Sequence, residues 1–536
     1  PFVWVVRGVD EHTAQSVTAL NLAGIRLVRE TKRTYPFGHI AGQLLGTTDS
    51  DRVGIAGLEH YFDSVLGGRS RKVPCWTDAR GQVKVASDDR AAVPRGQDIT
   101  LTINLVAQCI AEEELAAAAQ SFDADWGVVV MTDPGTGEII ALATYPLFDP
   151  NIPQHIPVDR QRCRAVTDMY EPGSTFKITV AAAALQSGKV SPRDTFDCEN
   201  GRAVIAGRVF RDAHPHGLLS FRDIFTVSSN IGMAKIGQVL GPELLYKTAR
   251  DFGFGEPTEI DLEGEARGIL HPPARWSGSS LSNFCIGQGV SATAIQLAMA
   301  YGAIANGGKL LKPQLVVPDH GRQEVRPVKI RDVFSREIAD SLTSLMVGVV
   351  EHGTGKPAAI EGITVAAKTG TAQKVDTANG TYFQDRFVAS FVGFLPAENP
   401  RYLTLVIIDD PQREHYGSQV AAPCFKRIMT RWLAAQRSSQ IPSEIPHPAT
   451  DLVQLNSDPG DSPPKGNLKA VRSETAPPDV MPSLVGIPMR SAIRELTFRG
   501  MNVSAAGYGM VKNQQPRPGT TVKPGTRCRL TGDKTS

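Results

Sequence analysis

Residues 170–177 read Tyr170-Glu171-Pro172-Gly173-Ser174-Thr175-Phe176-Lys177, and two short runs follow in order, Ser228-Ser229-Asn230 and Lys368-Thr369-Gly370. Pro172 and Gly173 end the preceding segment. Ser174 therefore opens the helical run Thr175–Leu185, where backbone N–H groups and the helix dipole favour developing negative charge. Lys177 lies one turn further on the same face, within reach of the Ser174 oxygen. A charged lysine accepts no proton. It works as a base only if burial and a second nearby cation lower its pKa, and Lys368 is the evident second cation. A lone Ser-x-x-Lys is expected roughly once or twice by chance in a chain this long, usually as a helix cap followed by a solvated lysine. The order and local context of all three runs reverse that reading.

Ser228-Ser229-Asn230 falls between helical patterns at Phe221–Val227 and Ile231–Val239. A loop joining two helices presents Ser228 and Asn230 on the same side. Ser228 is then placed to pass a proton between Lys177 and a leaving amine, and Asn230 to hold a substrate amide. Taken alone, the tripeptide reads equally well as an ordinary capping loop. Lys368-Thr369-Gly370-Thr371 lies in a strand-like run, where a glycine permits close backbone approach by a ligand. Strand alternation puts Lys368 and Gly370 on one side, and Thr371 joins them only if a bulge or twist intervenes. The Lys368 ammonium suits a terminal carboxylate, with Thr369 or Thr371 hydrogen-bonding it. Ser174, Lys177, Ser228, Asn230 and Lys368 are thus the expected catalytic set, with Thr369, Gly370 and Thr371 binding substrate.

The chain has 536 residues, enough for two to four domains, with 41% hydrophobic and 21% charged residues, as in ordinary globular protein. A net charge of +2 gives no sign of nucleic-acid binding. Seven scattered cysteines form no metal-ligand spacing and read as mostly buried thiols, with room for one disulfide. Eleven histidines form no ligand pair at helical spacing, so neither a metal nor a cofactor is expected. Gly287-Gln288-Gly289 and Gly307-Gly308 read as loop turns, and Asp409-Asp410 as a strand-end cap. No window of eighteen apolar residues occurs. Pro1 is not a natural start, so a fragment lacking an N-terminal segment is expected.

Four regions are expected. Residues 1–95 carry no catalytic set and read as a structural or interaction module. Residues 96–436 open with a strand at Asp98–Asn104 and a helix at Ala107–Gln120. A hairpin follows, Trp126–Thr132 and Glu138–Thr144 around the Pro-Gly-Thr-Gly turn at 134–137. Strands at Ile363–Gln373, Val388–Leu395 and Tyr402–Ile408 and a helix at Ala421–Ala435 close this domain. Strands at both ends with helices between them indicate an α+β architecture. The proline-rich stretch 437–478 reads as an extended linker. Residues 479–536 read as a small domain, with a helix at Met489–Phe498, a strand near Val503 and Pro-Gly turns at 518–519 and 524–525.

The three motifs in this order resemble the penicillin-recognising serine acyltransferases. Tyr170–Lys177, Ile286–Val290, Lys368–Gln373 and Phe391-Val392-Gly393-Phe394 further resemble class B penicillin-binding proteins of the division-specific type. Tyr35-Pro36 and Gly57–Glu59 look like the end of that family's N-terminal pedestal (dimerisation-type) domain, and 479–536 like a single PASTA domain. The resemblance implies a penicillin-binding/β-lactamase-like transpeptidase fold with a truncated pedestal and a small αβ PASTA domain. It implies a membrane protein with one N-terminal anchor and an extracytoplasmic catalytic part that cross-links peptidoglycan stem peptides in septal wall synthesis. Ser174 would attack the D-Ala-D-Ala donor to form an acyl-enzyme, which an acceptor amine resolves. Backbone N–H groups of Ser174 and Thr371 would hold the oxyanion, and β-lactams would trap the serine. A membrane glycan polymerase and division proteins are the implied partners. Ala367 stands where the family usually has glycine, a mild departure, and the pedestal's earliest motif is missing. The competing readings are a non-catalytic β-lactam or muropeptide sensor, a D,D-carboxypeptidase, and a β-lactamase, for which no deacylating glutamate stands out.

Overall fold

The structure, a computed structural model, describes residues 3–68 apart from 29 and 31, 75–77, 83–85, 96–318, 324–376 and 379–440, then 480–485, 492, 493, 496 and 501–533 apart from 507 and 524. The proline-rich stretch therefore lies almost wholly outside the described residues. Two compact units divide the chain, residues 1–443 and 444–536.

The first unit is organised by a five-stranded antiparallel sheet. In chain order its parts are helix α1 (Leu105–Ser121), strands β1 (Trp126–Thr132) and β2 (Ile139–Tyr145), helix α2 (Lys177–Ser187), and the hairpin β3 (Arg202–Ile205) and β4 (Arg208–Arg211). Helices α3 (Phe221–Val227), α4 (Asn230–Leu240) and α5 (Ala294–Ala305) follow. Strands β5 (Ala366–Asp376), β6 (Thr381–Leu395) and β7 (Tyr402–Asp409) and helix α6 (Ala421–Gln440) complete it. The sheet order is β5-β6-β7-β1-β2, so segments far apart in sequence meet and β5 forms one edge.

Alternation assigns the two sheet faces. Val129 and Met131 pack with Val406, Ile408 and Phe391 against α1 and α6. Val128 and Val130 pack with Leu405, Ile407 and Val392 against the helical side that contains α2 and α5. Val128 through Met131 are all at most 1% exposed, which is why β1 reads as a continuous apolar run rather than an alternating one. Each such side chain contributes about 1.5–3 kcal/mol on burial. The β1–β2 turn closes as its sequence requires: Asp133 Oδ1 accepts the Gly135 N–H at 2.7 Å, and Gly137 takes a φ of 82°.

Two expectations need correction. The strand expected at Asp98–Asn104 is only a single bridge, Leu101 to Val316. Its partner segment is bounded by Pro313 and Pro318, which cannot donate to a ladder. Helix α6 continues past Ala435 to Gln440, since none of the intervening residues breaks it. The six described thiols, at Cys109, Cys163, Cys198, Cys285, Cys424 and Cys528, are unbridged, and all but Cys109 are buried.

The N-terminal region is tied to the rest of the first unit by polar contacts in an otherwise close-packed seam. Asn151 accepts the Tyr35 N–H (3.0 Å) and donates to the Tyr35 carbonyl (2.9 Å). The Ala41 N–H donates to Glu112 Oε1 at 2.7 Å, and Gln43 donates to the Pro146 carbonyl at 2.7 Å. Glu59 is buried and pairs with Arg33 at 2.6 Å.

In the second unit, β8 (Asn502–Ala506), β9 (Tyr508–Gln515) and β10 (Arg527–Asp533) form a sheet in the order β8-β10-β9, with β8 and β10 parallel. Much of the helix expected over Met489–Phe498 lies outside the described residues. Of it, Ala492, Ile493 and Leu496 are helical, with Leu496 in a small core beside Val511, Cys528 and Leu530.

A Cβ on Gly42 would lie 1.9 Å from the Phe148 carbonyl oxygen, so the seam has no room for one. Gly42→Ala is expected to destabilise the first unit by about 1–3 kcal/mol, read as a lower urea midpoint. An unchanged midpoint would show that the seam yields without cost.

Candidate active site

The site lies where edge strand β5 meets the turn that carries Ser174. Gly173 has a φ of 55°, the left-handed conformation that glycine adopts without a Cβ penalty. Gly173–Phe176 then form a single 3-10 turn, and the Lys177 N–H donates to the Ser174 carbonyl to close it. Regular α-helix begins only at Lys177, two residues later than the sequence pattern indicates. Ser174 is half-buried at this turn, and Lys177 is fully buried one turn on.

Neighbouring backbone clamps the turn. The Gly173 N–H donates to the Gly287 carbonyl at 3.2 Å, and a Cβ on Gly287 would lie 2.1 Å from the Gly173 oxygen. The Tyr301 hydroxyl, on α5, donates to the Thr175 carbonyl at 2.8 Å. Gly287-Gln288-Gly289 is a loop, as expected, but one built against the Ser174 turn. A Cβ on Gly370 would lie 2.3 Å from Ser390 Oγ, 2.9 Å from Thr175 Cγ2 and 3.2 Å from the Pro172 oxygen. Here the close approach that the strand glycine signalled is made by the protein itself.

At the centre, two lysines share one hydroxyl. Lys177 Nζ donates to the Ser228 carbonyl (2.6 Å), Asn230 Oδ1 (2.8 Å) and Ser228 Oγ (3.2 Å). Lys368 Nζ donates to Ser228 Oγ (2.8 Å) and the Thr369 carbonyl (3.1 Å). Ser228 reaches both because it caps α3 with a φ of 62°, a left-handed conformation that costs a non-glycine residue on the order of 1–3 kcal/mol. Both lysines are at 0% exposure. Burial lowers Lys177 to about 7, against the opposing pull of Asp212. Burial, and then the neighbouring charge of Lys177, hold Lys368 well below the ordinary lysine range. The pair therefore binds fewer protons near neutrality than two solvated lysines would.

The remaining expected residues separate. Thr369 Oγ1 shares a hydrogen bond with Thr354 Oγ1 at 2.7 Å. Thr371 Oγ1 accepts the Gly417 N–H at 3.0 Å. Pairing of β5 with β6 runs without a shift from Ala366 to Gln373, and the irregularity comes only between Gln373 and Val375. Thr371 and Lys368 accordingly point to opposite sides. Asn230 has both amide ends engaged, since its Nδ2 donates to the Arg211 carbonyl at 3.0 Å.

Three participants escape a reading by motif. Asp212 follows β4 and accepts hydrogen bonds from the Ser229 hydroxyl and from the backbone of Asn230 and Ile231. Thr354 precedes the strand and touches Thr369. Glu171, three residues before Ser174, accepts from the Gly289 N–H (2.8 Å) and the Tyr382 hydroxyl (3.1 Å), and burial raises its pKa. Its adjacency to Pro172-Gly173-Ser174 was the available signal; Asp212 and Thr354 offered none. Asp409 and Asp410 are paired rather than merely capping: Asp409 bonds Lys374 at 2.6 Å, and Asp410 bonds Arg386. Among the described residues no cluster of three or more His, Cys, Asp or Glu could hold a metal ion. A cavity of about 360 Å³ between Phe252, Glu256, Arg267, Met299 and Arg331 contains none of the motif residues.

The family model of the penicillin-binding protein transpeptidase domain matches residues 127–430. The penicillin-binding protein dimerisation domain matches 2–101, and the PASTA domain matches 479–534. The chain belongs to the class B penicillin-binding proteins, with a C-terminal PASTA domain. It is 34% identical to stage V sporulation protein D of Bacillus subtilis, over 98% of this chain and 79% of that one. It is 37% identical to a probable peptidoglycan D,D-transpeptidase PenA of Neisseria meningitidis, over 80% of this chain and 73% of that one. The crystal structure of penicillin-binding protein 3 from Mycobacterium tuberculosis complexed with aztreonam superposes with a TM-score of 0.66. It is 32% identical and covers 76% of this chain and 91% of its own.

Gly370→Ala is expected to push β5 away from the Ser174 turn and to slow acylation by a penicillin by on the order of 100-fold. Stopped-flow fluorescence with a labelled penicillin reads this directly. A rate within about twofold of wild type would mean that the strand position is not critical.

Proposed function

We propose that this chain is a peptidoglycan D,D-transpeptidase of septal wall synthesis that works through an acyl-enzyme on Ser174. The observation that carries the reading is the continuous line from Lys177 Nζ through Ser228 Oγ to Lys368 Nζ, buried beside the Ser174 turn. The aztreonam-bound relative and the transpeptidase-named relatives support the same substrate class.

In the first step the Ser174 oxygen bonds to the penultimate D-Ala carbonyl carbon, and its proton passes to neutral Lys177. Backbone N–H groups of Ser174 and Thr371 stabilise the oxyanion. The terminal carboxylate docks at Thr369 and Thr371, while Gly370 lets the strand lie close against the Ser174 turn. Its negative charge favours the protonated form of Lys368 and, through Ser228, draws the proton away from Lys177. As the C–N bond breaks, Ser228 relays a proton to the departing D-Ala amine. Asn230 keeps one Nδ2 hydrogen on the Arg211 carbonyl and holds the donor amide with the other. An acceptor amine then attacks the ester, and Ser174 leaves as the alcohol. β-Lactams stop after the first step.

The proposal includes the chain's organisation and setting. The pedestal ends at 95, the transpeptidase domain spans 96–436, the linker 437–478 and the PASTA domain 479–536. A single N-terminal anchor would hold the catalytic part outside the membrane. Among the described residues no helix is long and apolar enough to cross a membrane. A membrane glycan polymerase and division proteins would supply the strands and the location.

Intact-mass measurement after incubation with a penicillin tests the reading. A stable adduct on the wild type, absent from Ser174→Ala, is expected. An adduct that vanishes within seconds would make the chain a β-lactamase, and no adduct would overturn the mechanism. Adduct formation should also accelerate as pH rises through about 7, because only neutral Lys177 accepts the serine proton. A flat profile would remove Lys177 from the role of base.

A further inference from the structure

Asp212 follows the β3–β4 hairpin and lies under the Ser228–Asn230 turn. Its Oδ1 accepts the backbone N–H groups of Asn230 (2.6 Å) and Ile231 (3.1 Å), and its Oδ2 accepts the Ser229 hydroxyl at 2.6 Å. These N–H groups belong to the first turn of α4, where an anion is favoured by the unpaired donors and the helix dipole. With its proton committed to Asp212, the Ser229 oxygen accepts the Gly232 N–H at 2.9 Å and caps the helix. The preceding Arg211 carbonyl holds the far end of the Asn230 amide. Asn230 can then turn only Oδ1 toward Lys177, which it meets at 2.8 Å.

We propose that Asp212 is a positioning residue of acyl transfer, which fixes the plane of the Asn230 amide and supplies the negative charge that faces Lys177. The inference rests on the reading of Lys177 as the base. Three titratable groups face that amine: Asp212 from beyond β4, Cys285 from the loop before Gly287, and Lys368 from β5. Burial pushes the Cys285 thiol up to about 12, so it is neutral at physiological pH. Lys368 opposes a proton on Lys177. Asp212 is thus the anion of the three, and it limits how far burial can depress the base. Without it Lys177 would lose its proton at lower pH, but the amide that orients its lone pair would no longer be held.

The test is the pH dependence of the second-order acylation rate, measured on the full chain with a fluorescent penicillin. In Asp212→Asn the acid limb is expected to move to lower pH by about one unit, with a reduced plateau. In Asp212→Glu, which keeps the charge and displaces the turn, the plateau falls by on the order of tenfold while the limb stays at the wild-type pH. A limb that stays put in the amide variant would reduce Asp212 to a structural cap, and one that moves as far in the glutamate variant as in the amide would remove its charge as the cause. Asp212→Ser, a second neutral variant that can still accept the Asn230 N–H, must move the limb in the same direction and tests the proposal if the amide variant does not fold. Failure of the underlying reading is distinct, because the wild type itself would then show no limb.

Discussion

Two fully buried lysine side chains end within hydrogen-bonding distance of one partly exposed serine hydroxyl. Burial makes two full charges there untenable, so one amine is available as a base near neutrality. That is the property the proposed chemistry needs. Much of the surrounding architecture serves to make this arrangement possible. The strained conformation of Ser228 is one such cost, since it lets a single residue present both its carbonyl and its hydroxyl to Lys177. The left-handed turn at Gly173 is another, since it starts α2 where Lys177 falls inside the protein.

The sheet supplies the fixed frame. Because β5 is an edge strand, part of its backbone is left unpaired along the side that meets the Ser174 turn. Its other side is anchored through β6 and β7 to a core buried on both faces. Lys368 is thereby held on a rigid element, while Ser174, Lys177 and Ser228 come from the helical layer. Glycines at 173, 287 and 370 mark the join between the two layers. At each, an added carbon would strike backbone or a close neighbour. The join tolerates little displacement, which is the precision that proton transfer over hydrogen-bonding distances requires.

The legible part of this design was the part with local signatures. Three short motifs announced the lysines, the shared serine and the strand glycine. The apolar runs at 126–132, 388–395 and 402–408 marked strands because two-sided burial leaves no polar alternation to obscure them. What the sequence hid depends on contacts between distant segments. Asp212 looks like any hairpin-end aspartate until α4 is placed against it, and Thr354 gains meaning only beside Thr369. The extended segment before Asn104 has strand-forming residues, but prolines in its partner deny it a ladder. The direction in which Thr371 points was undecidable without knowing where the β5–β6 register breaks.

The lowered proton affinity of Lys177 is the claim on which the account turns, and NMR titration of isotope-labelled lysine side chains in the full chain measures it directly. One ε-amine should titrate at about 7, and its signal should be missing from Lys177→Ala. If every lysine signal instead titrates near the ordinary value of about 10.4, the two-lysine site carries full charge and cannot supply the base.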